Sequence, residues 1–226
     1  LIARSPGAVV ASSTDAVADA RVKAAVIAAP ALGFTFSPDG LKNVKVLENA
    51  VAAEEAVESK RNTGGGEKTL IFLGRLHESK GLREIVEAVR VLQSENFRFR
   101  FRTFGAGELK EFFVAKMTEL LGDRFYDGGV VGGKEKWEEL ARADVFLLPS
   151  RYGEGLPMAM LEAMAAGCVV VASEMASVGA VIENGRNGFL IEPKNHAQLI
   201  EKLRMILSAD ADFSVVRENA RQTIRE

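Results

Sequence analysis

The sequence predicts an α/β fold, a doubly wound parallel sheet of about six strands with helices on both faces. Two observations carry this prediction. From residue 68 onward, short apolar runs rich in Val, Leu, Ile and Phe alternate with segments of helical periodicity. Several of the runs, "VFLL" at 145–148 and "CVVVA" at 168–172, are apolar without alternation, as in strands covered on both faces.

The elements follow in order. Strands are predicted at 69–73, 98–104, 125–131, 145–148, 168–172 and 188–191, and helices at 82–93, 109–120, 134–141, 157–166, 177–183 and 197–207. Such an alternation places ligands at the carboxyl ends of the strands. The strand "FRFRFRTF" alternates aromatic and Arg residues, so it is expected at the periphery with one face wet. Residues 1–50 form a mixed segment with a strand candidate at 8–11, and Thr14 or Asp15 can cap a helix reaching about residue 25. Residues 51–67 read as a linker, with dense charge and a triple glycine at 64–66. Residues 68–226 carry the α/β pattern. The opening "LIARSPGAVVASS" has neither an initiator Met nor a signal-peptide pattern, so the chain is expected to be a piece of something longer.

Composition narrows the class. With 47% hydrophobic and 27% charged residues the chain reads as an ordinary globular protein, and a net charge of −2 gives no global field for nucleic acid or an anionic membrane. No apolar stretch reaches the length of a membrane span. The single cysteine, Cys168, has no internal partner and reads as a buried, inert thiol in a reducing cytosol.

Candidate chemistry gathers at the strand–helix turns. "GRLHESKG" (74–81) puts Arg75 and Lys80 on the turn after the first predicted strand, ahead of a helix. Two cations beside helix backbone N–H groups outline an anion site, although surface cations are common. "FGAGE" (104–108) is half of a dinucleotide fingerprint, but Lys110 stands where the third glycine belongs and the strand is the second, so Gly105 and Gly107 are read as close backbone approach to a ligand. In "EGLPMAMLEAMAAGCVVVAS" (154–173), Pro157 suits the first position of a helix that points its positive end at the sheet edge. Glu154 precedes that end, as a dipole-favoured acid or a functional one. Glu162 sits among apolar residues, where its carboxylate needs a buried partner or a polar ligand. "DAD" (210–212) follows the last predicted helix and reads as a polar helix terminus rather than a metal pair. His77 and His196 stand apart, and no metal-ligand spacing occurs.

Taken together, "FLGRLHESKGL", "LLPSRYGEGLPMAMLEAMAAGCVVVAS" and "VIENGRNGFLIEP" closely resemble the C-terminal donor-binding domain of GT-B glycosyltransferases of family 4, the group 1 glycosyltransferases, over residues 68–207. The opening segment resembles the end of that family's N-terminal domain, with Glu48, Asn49 and Ala50 where Pro-Asn-Gly is common.

The resemblance implies the C-terminal, Rossmann-like half of a GT-B fold, a retaining and metal-independent sugar transfer, and no cofactor. The substrate would be a UDP- or GDP-linked sugar. Arg75 and Lys80 would neutralise the diphosphate and Glu154 would engage the transferred sugar. Glu162 would accept from the ribose hydroxyls. Gly155 and Leu156 would offer backbone N–H groups, with Gly74, Gly105 and Gly107 lining the donor site. It further implies a cytoplasmic location, peripheral to the membrane in the full-length protein. An acceptor such as a membrane lipid or polysaccharide would be reached through an N-terminal domain outside this chain, and no nucleic-acid partner is expected. Two other readings stay open on the same residues: a non-catalytic nucleotide or anion binding module, and a GT-B-fold nucleotide-sugar epimerase.

Overall fold

The computed structural model describes residues 67–152, 155–208 and 211–225. The strand candidate at 8–11, the helix from Thr14 or Asp15, and the 1–50 and 51–67 segments lie outside the described residues, apart from Glu67.

Six parallel strands form one sheet: β1 (Lys68–Leu73), β2 (Phe99–Phe104), β3 (Phe125–Asp127), β4 (Val145–Leu148), β5 (Val169–Ser173) and β6 (Phe189–Ile191). Their spatial order is β3-β2-β1-β4-β5-β6. Register is continuous through the centre, with Leu70 opposite Phe101 and Val145, and Phe146 opposite Val170. The helices are α1 (Leu82–Ser94), α2 (Lys110–Leu121), α3 (Gly133–Arg142), α4 (Met158–Ala165), α5 (Ala176–Gly179), α6 (His196–Leu207) and α7 (Ser214–Arg225). The α/β class, the parallel sheet and its six strands are as the sequence predicts.

The pleat explains the unbroken apolar strands. Successive side chains point to opposite faces. Leu70, Phe72, Val145, Leu147, Val169 and Val171 therefore join one core with α1, α2 and α6. Ile71, Phe146, Leu148, Val170 and Ala172 join a second with α3, α4 and α7. Cys168 is buried at the start of β5, its thiol donating to the Leu140 carbonyl at 3.2 Å. The burial is as expected.

Three expectations are corrected. The Phe/Arg strand β2 is not peripheral. It pairs on both sides, and the edge belongs to the shorter β3, which ends at Asp127 rather than at 131. Its polar face is only partly wet: Arg102 donates to Glu139 of α3 at 2.6 Å and lies 4.1 Å from the centre of the Tyr126 ring. The helix expected at 177–183 is one short turn, α5, since the following residues are held in a loop by Asn187. That buried side chain accepts from the Glu183 N–H at 2.8 Å and donates to the Val181 carbonyl and to the Thr223 hydroxyl of α7. Finally, α7 has no counterpart among the predicted helices. It packs on α4 and β5 through Ala220 and Ile224.

Candidate functional site

The strand order reverses direction between β1 and β4. From β1 the chain runs outward to β2 and β3, and from β4 it runs outward to β5 and β6. The crossovers leaving β1 and β4 therefore run in opposite directions, and the carboxyl ends of these two strands mark the switch point of the sheet, where open α/β folds bind ligands. Arg75 and Lys80 lie on the first loop, and Glu162 lies on the helix that follows the second.

The β1–α1 loop is built to hold its shape. Leu76 is buried beneath it, its N–H donating to the Ala106 carbonyl at 2.8 Å and its carbonyl accepting from the Leu109 N–H. A 3-10 turn, Glu78–Lys80, is capped by His77, whose Nδ1 accepts from the Ser79 N–H at 3.1 Å. With Nδ1 an acceptor, Nε2 carries the proton of the neutral ring and points to Glu108 Oε1 at 3.5 Å, linking the first two loops. Arg75 is exposed, and among the described residues it has no ion-pair partner.

Gly105 and Gly107 are required by the packing of the loops against each other. A Cβ on Gly105 would collide with the carbonyl oxygen of Gly74, and one on Gly107 with that of Leu76. The glycines let the β2–α2 loop lie directly against the loop that carries Arg75. On the other side, the Arg151 N–H donates to the Ser79 carbonyl at 2.8 Å, so the loops after β1 and β4 are tied by backbone as well.

Side chains reinforce that tie. Arg151 pairs with Glu78 and stands 3.3 Å from Glu84 Oε1 of α1, an electrostatic contact without hydrogen-bond alignment. Arg83 donates to the other oxygen of Glu78 at 3.1 Å. That hydrogen bond, with the charges of Arg83 and Arg151, holds the Glu78 carboxyl below its usual range. Arg83 and Arg151 are thus committed to protein carboxylates.

The helix α4 begins one residue later than predicted, with Pro157 as its N-cap (ψ 104°) and the Pro157 carbonyl accepting from the Met160 N–H. Gly155 and Leu156 precede it. Their N–H groups donate to no acceptor among the described residues, while the Gly155 carbonyl accepts from the Ser177 hydroxyl at 2.8 Å. Glu154 lies outside the described residues.

Glu162 finds a partner within the protein. Lys136, in the first turn of α3, donates to its Oε1 at 2.5 Å, and the side chains are 22% and 12% exposed for Lys136 and Glu162. Of the two alternatives open in the sequence, the buried partner exists, so Glu162 does not depend on a ligand for its counter-charge. The second oxygen, Oε2, makes no hydrogen bond among the described residues. Sequence reading did not single out Lys136 or Arg151, since their partners lie far along the chain and no local spacing announces them.

The remaining candidates sit elsewhere. Asp212 accepts from the Ser214 N–H at 2.8 Å and from its hydroxyl, starting α7, while Asp210 lies outside the described residues. His196 opens α6 behind the Asn195 cap. Among the described residues, no three His, Cys, Asp or Glu side chains gather as a metal site.

Fold and site define a doubly wound α/β domain whose switch point carries an exposed Arg and, among the described residues, helix-end N–H groups without an acceptor and a carboxylate held by one oxygen. The family model for glycosyl transferases group 1 matches residues 54–223, well over half of the chain. The chain belongs to the group 1 glycosyltransferases. It is 36% identical over 137 residues to the putative colanic acid biosynthesis glycosyltransferase WcaL of Salmonella typhimurium, covering 58% of this chain and 34% of that protein.

Two solved structures share the fold. One is a mutant TarM of S. aureus in complex with fondaparinux, alpha-GlcNAc-glycerol and UDP (TM-score 0.64, 21% identity, 74% of this chain and 34% of that one). The other is the C-terminal domain of a group 1 family glycosyl transferase, LpcC, from Francisella tularensis (TM-score 0.63, 22% identity, 79% of this chain and 92% of that one). The chain spans less than half the length of the first curated relatives it matches.

Proposed function

We propose that the chain is the donor-binding domain of a retaining, metal-independent glycosyltransferase of GT-B family 4, taking a UDP- or GDP-linked sugar. The observation that carries this reading is the placement of Arg75, exposed and without an ion-pair partner among the described residues, and Glu162, whose Oε2 makes no hydrogen bond among them, on the two elements that flank the switch point. A nucleoside diphosphate needs cationic neutralisation of the diphosphate and an acceptor for the ribose hydroxyls, and those two positions offer one of each. UDP is among the ligands of the TarM complex, which supports a nucleotide in this fold.

In this reading Arg75 and Lys80 stabilise charge on the departing diphosphate, and the N–H groups of Gly155 and Leu156 add helix-end donors. Glu162 accepts from ribose and Glu154 engages the transferred sugar. The acceptor, a membrane lipid or polysaccharide, arrives through an N-terminal domain, and the reaction takes place on the cytoplasmic side. Among the described residues no helix is long and apolar enough to cross a membrane.

A thermal-shift panel of UDP-, GDP- and ADP-sugars on the 226-residue chain tests this reading. A donor at a hundred times its Kd stabilises the folded form by about 2.7 kcal/mol. For a domain of this size that is a rise of about 5–10 °C. The shift is expected for one nucleotide above the others and unchanged by EDTA. No shift with any of the three overturns the donor-domain reading, and a shift abolished by EDTA overturns metal independence.

A further inference from the structure

The Lys136–Glu162 pair has a geometry beyond what charge balance requires. Lys136 lies in the first turn of α3, at the carboxyl end of β3, and Glu162 in the second turn of α4, at the carboxyl end of β4, so the pair bridges two helices at the carboxyl edge of the sheet. Helix α3 is fixed on its other side by Trp137 and Leu140, both buried in the core that also receives Met160 and Met164 of α4. The lysine stem therefore starts from a rigid point, and its Nζ also lies 5.6 Å from the centre of the Trp137 ring.

The bond reaches only Oε1. A carboxylate held by one oxygen has its plane restricted, and the other oxygen is left as the acceptor for a ligand hydroxyl. The ammonium keeps donors of its own beyond the one spent on Oε1. From these contacts we infer that Lys136 is a positioning residue for ribose recognition: by anchoring Oε1 it aims Glu162 Oε2 at the ribose hydroxyls of the donor nucleotide. This rests on the donor-domain reading above. It assigns to α3, an element that carries none of the sequence-predicted site residues, a share in telling ribonucleotide from deoxyribonucleotide.

The test reads a ratio rather than an affinity. UDP, GDP, ADP and their 2′-deoxy counterparts are titrated into the 226-residue chain, and the Kd ratio of the deoxy to the ribo form is taken for the tightest of the three. The variants are wild type, Glu162→Gln, Lys136→Met, Lys136→Arg and the double variant Glu162→Gln/Lys136→Met. The wild-type ratio is expected near tenfold, the scale of one charge-assisted hydrogen bond. It should fall to about twofold in Lys136→Met and Glu162→Gln alike, with no further fall in the double variant, and return in Lys136→Arg.

A lysine that serves only stability lowers melting temperature in Lys136→Met and leaves the ratio at its wild-type value. With the ratio collapsed in Glu162→Gln, that result overturns the role of Lys136 and keeps the ribose reading. A wild type that binds no nucleoside diphosphate, or binds ribo and deoxy forms equally, overturns both. Should Lys136→Met fail to fold, Lys136→Gln, whose shorter neutral side chain removes the charge and the reach to Oε1, takes its place with the same expected loss.

Discussion

Arg151→Met tests whether the loops after β1 and β4 act as one unit. The substitution keeps most of the stem and removes the guanidinium between Glu78 and Glu84. The Arg151 side chain is 26% exposed, that of Glu84 10% and that of Glu78 32%. Removing one member of a buried ion pair costs about 3–5 kcal/mol, because the other charge is left uncompensated. An exposed pair is worth about 0–1 kcal/mol.

The Glu84 half belongs nearer the first figure, reduced because its 3.3 Å contact lacks hydrogen-bond alignment and Glu84 Oε2 already has no partner. The Glu78 half belongs nearer the second, since Arg83 still holds that carboxylate. Together they give a loss of about 2–4 kcal/mol. At roughly 2–4 °C per kcal/mol for a domain of this size, the melting temperature falls by about 4–16 °C. Urea and thermal unfolding followed by circular dichroism measure the free-energy loss and the melting temperature respectively. A cycle with Glu84→Gln should return a coupling of about 1 kcal/mol or more. A loss below about 0.5 kcal/mol, the range of neutral surface changes, refutes the clasp.

Two further outcomes follow from the same contacts. Gly105→Ala forces a Cβ onto the Gly74 carbonyl at a φ of 149° and should destabilise by about 2–4 kcal/mol, against about 1 kcal/mol or less for Gly132→Ala, whose Cβ meets nothing within 4 Å. Urea midpoints of the two variants compare them directly. For pH, Glu78 has a folded-state pKa below its unfolded value, so its contribution is complete above the ordinary carboxylate range and disappears as pH falls through the lowered folded value. Urea midpoints from about pH 6 to 3 should drop, and Glu78→Gln should flatten part of that drop.

The sequence made the sheet legible because both-face burial writes itself as unbroken apolar runs, and "VFLL" and "VVVAS" admit little else. The position of β2 in the sheet was not legible. Its Arg residues suggest solvent, yet Arg102 is used by Glu139, thirty-seven residues away, and by the Tyr126 ring. A period-2 pattern reports that a face is polar and not what covers it. Helix α7 was missed although Val216, Ala220 and Ile224 recur every fourth residue, since charged neighbours dilute that stripe. The turn at 74–81 was legible as a candidate anion site, because glycine, Arg and Lys fall at a strand–helix junction. The partner of Glu162 was not, because Lys136 comes from another helix and pairing across the sheet edge leaves no mark on local spacing.

The central claim is that Arg75 faces the diphosphate of a donor nucleotide. Calorimetric titration of UDP, GDP and the matching nucleosides into wild type and Arg75→Ala tests it most directly. The expected result is a loss of about 1–3 kcal/mol, roughly fivefold to 150-fold, for the preferred diphosphate, with nucleoside binding unchanged. Equal losses for diphosphate and nucleoside, or none for either, would contradict it.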